Sequence, residues 1–245
     1  MTNNTDVKFE ILRMQPENTN SVLVTSGNDA VIIDAWGRPE AWTQLLEQRG
    51  LNLRAIYTTH GHSDHISAAP ALATQFNIPW YMNHADVDLV LWGNALLDFF
   101  EMPHIEPDFR RPEDLPAGEY EILPGVWMRA ISAPGHSAGG MMFHFPDYDI
   151  LISGDTLFHD GVGRTDFPTG DAGALRKSIY SIADMNLPDQ TYVVHGHGID
   201  STIGWLRANH PYFLMRHCKL GDGGCCGGGC GGHSHGHCCC GCGHK

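Results

Sequence analysis

Three imidazoles and a carboxylate fall within one short stretch, Thr59-His60-Gly61-His62-Ser63-Asp64-His65. They follow the apolar run Ala55-Ile56-Tyr57, which reads as a buried strand. At a strand-to-helix turn, alternating side chains diverge toward two neighbouring points. His60 and His62 can therefore face one metal while Asp64 and His65 face another. Nitrogen and oxygen donors of this kind suit Zn2+, Fe2+ or Mn2+. A polar turn with incidental histidines is the weaker reading, because burying these groups together without a cation leaves costly polar atoms unpaired.

Three more segments carry the same residue types. Ala133-Pro134-Gly135-His136-Ser137-Ala138-Gly139 sets a histidine on a glycine-rich loop after a strand. Ile152-Ser153-Gly154-Asp155-Thr156 places an aspartate just past a strand end, and Val193-Val194-His195-Gly196-His197-Gly198 does the same for histidine. A histidine beside a glycine is ordinarily a loop residue, so each segment alone says little. Together they put ligand types at the ends of four predicted strands, and active sites are commonly assembled on loops at one edge of a sheet.

The elements that must position these residues can be read from periodicity and punctuation. Strands are predicted over 7–14, 21–26 and 30–34, with Gly27-Asn28-Asp29 as the turn of a hairpin. A helix over 39–49 is stopped by Gly50. A strand over 54–58, a helix over 67–76, a strand over 79–82 and a helical stretch over 85–100 follow, then a loop rich in proline and charge over 102–118. The second run has strands over 126–131, 141–145 and 149–153, a helix over 172–185, a strand over 191–194 and a last helix over 202–209. Strands then helices, twice over, point to an α/β fold with two sheets face to face and helices outside, a four-layer αββα sandwich.

Composition bounds the rest. The 245 residues, 42% hydrophobic, suit an enzyme-sized globular body. A net charge of −13 argues against nucleic acid as a partner. Neither a secretory leader nor a membrane span is visible, so the expectation is a cytoplasmic protein with no membrane partner. All eight cysteines lie at or beyond Cys218, so the fold does not depend on disulfides. Composition changes sharply there, dividing a catalytic domain over 1–217 from a Gly/Cys/His-rich appendage over 218–245. In that appendage Cys225, Cys226, Cys230, Cys238, Cys239, Cys240 and Cys242 alternate with His233, His235, His237 and His244. These are ligands for soft or borderline metals, without zinc-finger spacing.

The stretches THGHSDH, APGHSAGG, SGDTLF, GVGRTDFPTGD, HGHG and STIGWLRANHPYF, spanning roughly residues 7 to 213, resemble the metallo-β-lactamase superfamily. Within it the chain is most similar to the glyoxalase II branch, especially its small single-domain hydrolases. The resemblance implies the αββα sandwich and a dinuclear centre. His60, His62 and His136 would hold one metal, Asp64, His65 and His197 the other, and Asp155 would bridge them. Two Zn2+ are expected, with Fe or Mn as alternatives. Proline commonly precedes the last Gly-His pair of the family, where this chain has His195. His197 is taken as the ligand and His195 as a supporting residue.

Two cations about 3.5–4 Å apart can lower the pKa of a shared water to roughly 7, so the nucleophile is hydroxide and no serine or cysteine is required. Asp64 and Asp155 are the catalytic carboxylates of this reading. A thioester such as an S-acyl glutathione suits it, because a thiolate leaves without a proton. Two-domain glyoxalase II enzymes hold glutathione on a C-terminal helical domain, and here the matching motifs run out near Phe213. Arg164, with Asp166 nearby, and His159 are candidate substrate contacts, an internal ion pair being the plain alternative for Arg164–Asp166. Trp36, Trp92, Phe99 and Phe100 could line a substrate wall, with core packing the safer assignment. Two other functions compete. One is a mononuclear iron persulfide dioxygenase with His60, His136 and Asp155 as a facial triad. The other is metal buffering through the Cys/His appendage.

Overall fold

The computed structural model describes residues 6–15 and 17–217. The cysteine and histidine ligands expected between Cys225 and Cys242 lie outside these residues.

Among the described residues, twelve strands form two six-stranded sheets. The first sheet joins β1 (Val7–Met14), β2 (Thr19–Ser26), β3 (Asp29–Ile33), β4 (Asn52–Tyr57), β5 (Trp80–Met82) and β6 (Glu113–Asp114) in that order. Pairing is antiparallel across β1–β2–β3 and parallel from β3 to β6. The second sheet joins β7 (Gly118–Leu123), β8 (Val126–Ser132), β9 (Met141–Phe145), β10 (Ile150–Gly154), β11 (Tyr192–His195) and β12 (Ser201–Thr202) in that order. It is antiparallel except for the parallel pair β10–β11.

Alternation along each strand decides the layers. On β2 and β3, Val22, Val24, Val31 and Ile33 point inward to meet Met128, Phe143, Phe145, Ile152 and Val194 of the second sheet. Their neighbours Leu23, Ala30 and Ile32 point outward onto Trp42 and Leu46 of helix α1 (Pro39–Arg49). On the other side Met142, Leu151 and Val193 point outward onto the helices that follow β10. Strands buried on both faces read as near-continuous apolar runs, which is why DAVII and MMFHF lack polar alternation. The result is the four-layer αββα sandwich.

Several expected helices are shorter or broken. The segment after β4 forms α2 (Ser63–Ile66) and α3 (Ala69–Gln75), with Pro70 in the first turn of α3. The expected helix over 85–100 is two short ones, α4 (Leu89–Trp92) and α5 (Asn94–Phe99), separated at Gly93, a weak helix former. In the second half α6 (Ala172–Asp184) is capped by Asp171, and α7 (Ile203–Asn209) by Thr202. A further helix, α8 (Pro211–His217), follows where none was expected. Its proline sits at the first position, where a missing N–H costs nothing. Strands β6 and β12 have two residues each, too few for periodicity to register, and β7 carries Glu119 and Glu121 on an exposed edge.

Candidate metal centre

Every candidate ligand sits at a strand end, on the same edge of the sandwich. His60, His62, Asp64 and His65 follow β4 through the first turn of α2. His136 lies on the β8–β9 connection, Asp155 directly follows β10, and His197 lies two residues past β11. The register between β10 and β11 shifts between Ile152 and Gly154, an irregularity of the kind that re-aims a side chain beside a site. The two sheets are tied at this edge: Asn20 N–H donates to Gly196 O at 2.8 Å, and its side-chain amide to His195 O at 2.9 Å.

The side chains converge in three overlapping groups: His60–His62–His136, His60–His65–Asp155 and Asp64–His65–His197. Within each group one ligand atom per residue lies within 4.8 Å of the others. His62 Nδ1 is 2.8 Å from His136 Nε2, and His65 Nε2 is 3.2 Å from His197 Nε2. Asp155 stands between the groups. Its Oδ1 is 3.4 Å from His65 Nε2, and its Oδ2 is 3.5 Å from both His136 Nε2 and His197 Nε2. Asp64 Oδ2 is 3.2 Å from His197 Nε2.

Neighbouring oxygens set which ring nitrogen faces inward. His65 Nδ1 donates to Asp34 Oδ2 at 2.9 Å, His136 Nδ1 to Arg164 O at 2.7 Å and His197 Nδ1 to Glu17 O at 3.0 Å. Thr59 Oγ1 donates to Asp34 Oδ2 at 2.7 Å and lies 3.1 Å from His60 Nδ1, which it can accept from. All four rings thus turn Nε2 toward the centre, the tautomer a metal ligand requires. His60 Nε2, His62 Nε2 and Asp155 Oδ1 are buried without a hydrogen-bond partner among the described residues. Imidazole nitrogens and carboxylate oxygens packed this closely, with buried polar atoms among them left unpartnered, fit divalent cations such as zinc, iron or manganese. Gly196 completes the approach, since any Cβ there would collide with the Asp155 carboxylate.

The electrostatics divide the same way. Burial, reinforced by His136, pulls His62 down to about 4, and burial with His65 and His136 holds His60 well below its ordinary value. Burial opposes protonation of His197 and His65 as well, but facing carboxylates win. Asp155 and Asp64 carry His197 to about 10, and Asp155, Asp34 and Asp64 carry His65 well above its usual range. The metal-free chain therefore places protons where Asp64 and Asp155 need positive charge, and a cation would replace them.

A cavity of about 440 Å³ opens onto this cluster. Glu17, Asp64, Asp155 and His197 line it together with the apolar side chains of Trp92, Leu96, Phe158, Val162 and Phe167. Arg164 reaches it with its guanidinium 3.8 Å from the Phe167 ring centroid and paired to Asp166 at 2.7 Å.

Residues 14–197 match the sequence profile of the metallo-beta-lactamase superfamily. The chain belongs to this superfamily. Among curated members it is 30% identical over 210 residues to the probable metallo-hydrolase YqgX of Bacillus subtilis, covering 84% of this chain and 97% of that one. It is 33% identical over 196 residues to the hydroxyacylglutathione hydrolase GloC of Haemophilus influenzae, covering 78% and 91%. Among solved structures, TTHA1623 in a di-iron-bound form superposes with a TM-score of 0.73 at 30% identity, over 83% of this chain and 99% of that one. The superfamily fold and a metallo-hydrolase framework are therefore in place.

The structure treats the other candidate residues differently. His195 faces away from the cluster, buried against Leu157 O at 2.6 Å and Ser201 Oγ at 2.7 Å. His159 stacks on Trp205 with centroids 3.7 Å apart and does not line the cavity. Trp36 is core, and Phe100 packs against its ring. Phe99 is exposed, while Trp92, for which core packing was the safer expectation, is half-exposed and forms part of the cavity wall. Sequence reading passed over Glu17, Thr59, Asp34 and Asp86. Asp34 stands just past β3 as Asp155 stands past β10, so the strand-end signal was there. Asp86 lies in a segment read as helix, where nothing marked it.

Proposed function

We propose that this superfamily member is a dinuclear metallo-hydrolase acting on a small thioester of the S-acyl glutathione type. The observation that carries this reading is the position of Asp155, which reaches His65, His136 and His197 with its two oxygens. His60, His62 and His136 would hold one cation and Asp64, His65 and His197 the other. Zinc is the first expectation, and iron or manganese use the same ligands. Bound there, two such ions supply Lewis acidity and a water activated near neutral pH.

The chain's own residues do the rest. Asp64 opens onto the cavity and can orient the attacking water and take its proton. Trp92, Phe158 and Phe167 shelter the reacting carbonyl and offer apolar surface to the substrate's carbon chain. Arg164 is the one Arg or Lys lining the cavity among the described residues, and is placed to meet a substrate carboxylate. A thiolate leaves without a proton at neutral pH whereas an amine needs one, so a thioester makes the smaller demand on the residues lining the cavity. The likeness to the Haemophilus hydroxyacylglutathione hydrolase supports the same class. A mononuclear dioxygenase needs only one ion, whereas here His197 meets Asp64 and His65 as a second set.

One purification tests this. Elemental analysis is expected to find two cations per chain more in the parent than in a chain carrying both His136→Ala and His197→Ala. Thiol release from S-lactoylglutathione is expected to require them and to vanish in Asp155→Ala. Persulfide-dependent oxygen uptake with no thioester cleavage by the loaded enzyme would overturn the reading. We assign residues 1–217 to the catalytic unit and 218–245 to a separate metal-binding segment acting in the cytoplasm. Deleting 219–245 is expected to slow activation under limiting zinc.

A further inference from the structure

Asp86 is fully buried, and its carboxylate makes no ion pair among the described residues. It lies in the turn after β5, where Asn83 accepts from Ala85 N–H and fixes the chain direction. Three donors converge on it. Gly61 N–H reaches Oδ2 at 2.9 Å, Ser137 Oγ–H reaches the same oxygen at 2.6 Å, and Gly139 N–H reaches Oδ1 at 2.6 Å. Charge-assisted bonds of this kind are short and about twice as strong as neutral ones.

The three donors come from two segments and no others. Gly61 lies between His60 and His62, and Ser137 directly follows His136. These segments carry all three histidines of the His60–His62–His136 group, and they belong to different sheets. The contact is built for closeness on both sides. A Cβ on Gly61 would lie 2.8 Å from Asp86 Cβ, and one on Gly139 would lie 2.7 Å from Asp86 Cγ. The other group, Asp64–His65–His197, has no bond to Asp86; its orientation comes from Asp34 and Glu17.

We propose that Asp86 is a positioning residue for the three-histidine group, clamping the His60–His62 turn to the His136 loop and so setting that group's affinity for its cation. This rests on reading the group as a metal site, and it is independent of the substrate.

Full-length chains titrated with Co2+ against a chelator test it, with the visible absorption of bound Co2+ as readout. His197→Ala weakens the second group and reports the first; His136→Ala does the reverse. A chain carrying both substitutions sets the baseline for Co2+ bound by all remaining residues, those beyond 217 included. Asp86→Asn keeps the volume and removes the charge. In the His197→Ala background it is expected to lower Co2+ affinity about 10–100-fold, and in the His136→Ala background to change it by less than about threefold. Ser137→Ala, which removes one bond of three and keeps the fold safe, is expected to shift the first background in the same direction by a smaller factor. Equal losses in both backgrounds would mark Asp86 as a general packing residue and overturn the proposal. Unchanged affinity in the first background for Asp86→Asn or, should that variant fail to fold, for Ser137→Ala would also overturn it. A parent chain taking up no Co2+ above baseline would overturn the metal reading beneath it as well.

Discussion

Arg164 shows how neighbouring residues hold one side chain beside the cavity. Its guanidinium makes two bonds of 2.7 Å to the Asp166 carboxylate and lies over Phe167. The hydrogen bond from Arg164 holds the Asp166 carboxyl down at about 2. Both groups are solvent-exposed, and exposed pairs contribute little to stability. The pair and the Phe167 ring hold the guanidinium at the cavity wall. Arg164→Ala is therefore expected to leave the melting temperature unchanged. It should raise KM for a carboxylate-bearing thioester about tenfold with kcat nearly constant, the pattern of a lost uniform-binding contact. Steady-state kinetics beside a melting curve check both parts.

At the scale of elements, the strand ends hold the ligands and the helix caps hold the outer layers. Thr202 caps α7 by accepting from Trp205 N–H at 3.1 Å, and Trp205 in turn stacks on His159. Removing such a cap costs about 1 kcal/mol. Thr202→Ala is thus expected to lower the melting temperature by about 2–4 °C while metal content stays at the parent level. A variant that lost metal in proportion would show that α7 reaches the centre, contrary to its place in the outer layer. The His195 reading belongs to this scale too. Its position at the last residue of β11 turns the ring into the layer of Ser153 and Ser201, whereas His197, two residues on, has left the sheet and turned inward.

For the whole molecule, the candidate metal centre is a joint between halves. His60, His62, Asp64 and His65 extend from the first sheet, and His136, Asp155 and His197 from the second. Cations binding across that joint stabilise the folded chain by mass action, about 4 kcal/mol at a thousandfold excess over Kd. Chelation is therefore expected to lower the melting temperature by about 10 °C, and reloading to restore it. The metal-free chain should also lose stability in acid. Burial depresses His195 from 6.5 to about 4 and lowers His144 and His210 as well. Below pH 6.5 the unfolded chain binds protons that the folded chain refuses. Stability from these groups is present above that value and falls as pH drops toward 4. His195 alone accounts for on the order of 3 kcal/mol, at about 1.4 kcal/mol per unit. Urea-unfolding midpoints in chelator across pH 4–8 check it. His197 has the opposite sign: raised to about 10, it stabilises the metal-free chain below pH 6.5 and ceases to do so as pH rises through 10.

Much of this could be read before any coordinates. Apolar runs and their spacing determined the strands that form both sheet interiors, because burial on two faces leaves a local compositional mark. The ligand types at the ends of β4, β10 and β11 were visible for the same reason, each being local to a strand end. What adjoins what was decided only by the tertiary structure. Asp86 reaches Gly61, Ser137 and Gly139 across 25, 51 and 53 residues, Glu17 meets His197 across 180, and Trp92 leaves the core for the cavity wall. Those pairings depend on how two sheets stack and where chain breaks such as Gly93 fall, and no periodicity within a single element records a partner that far along the chain.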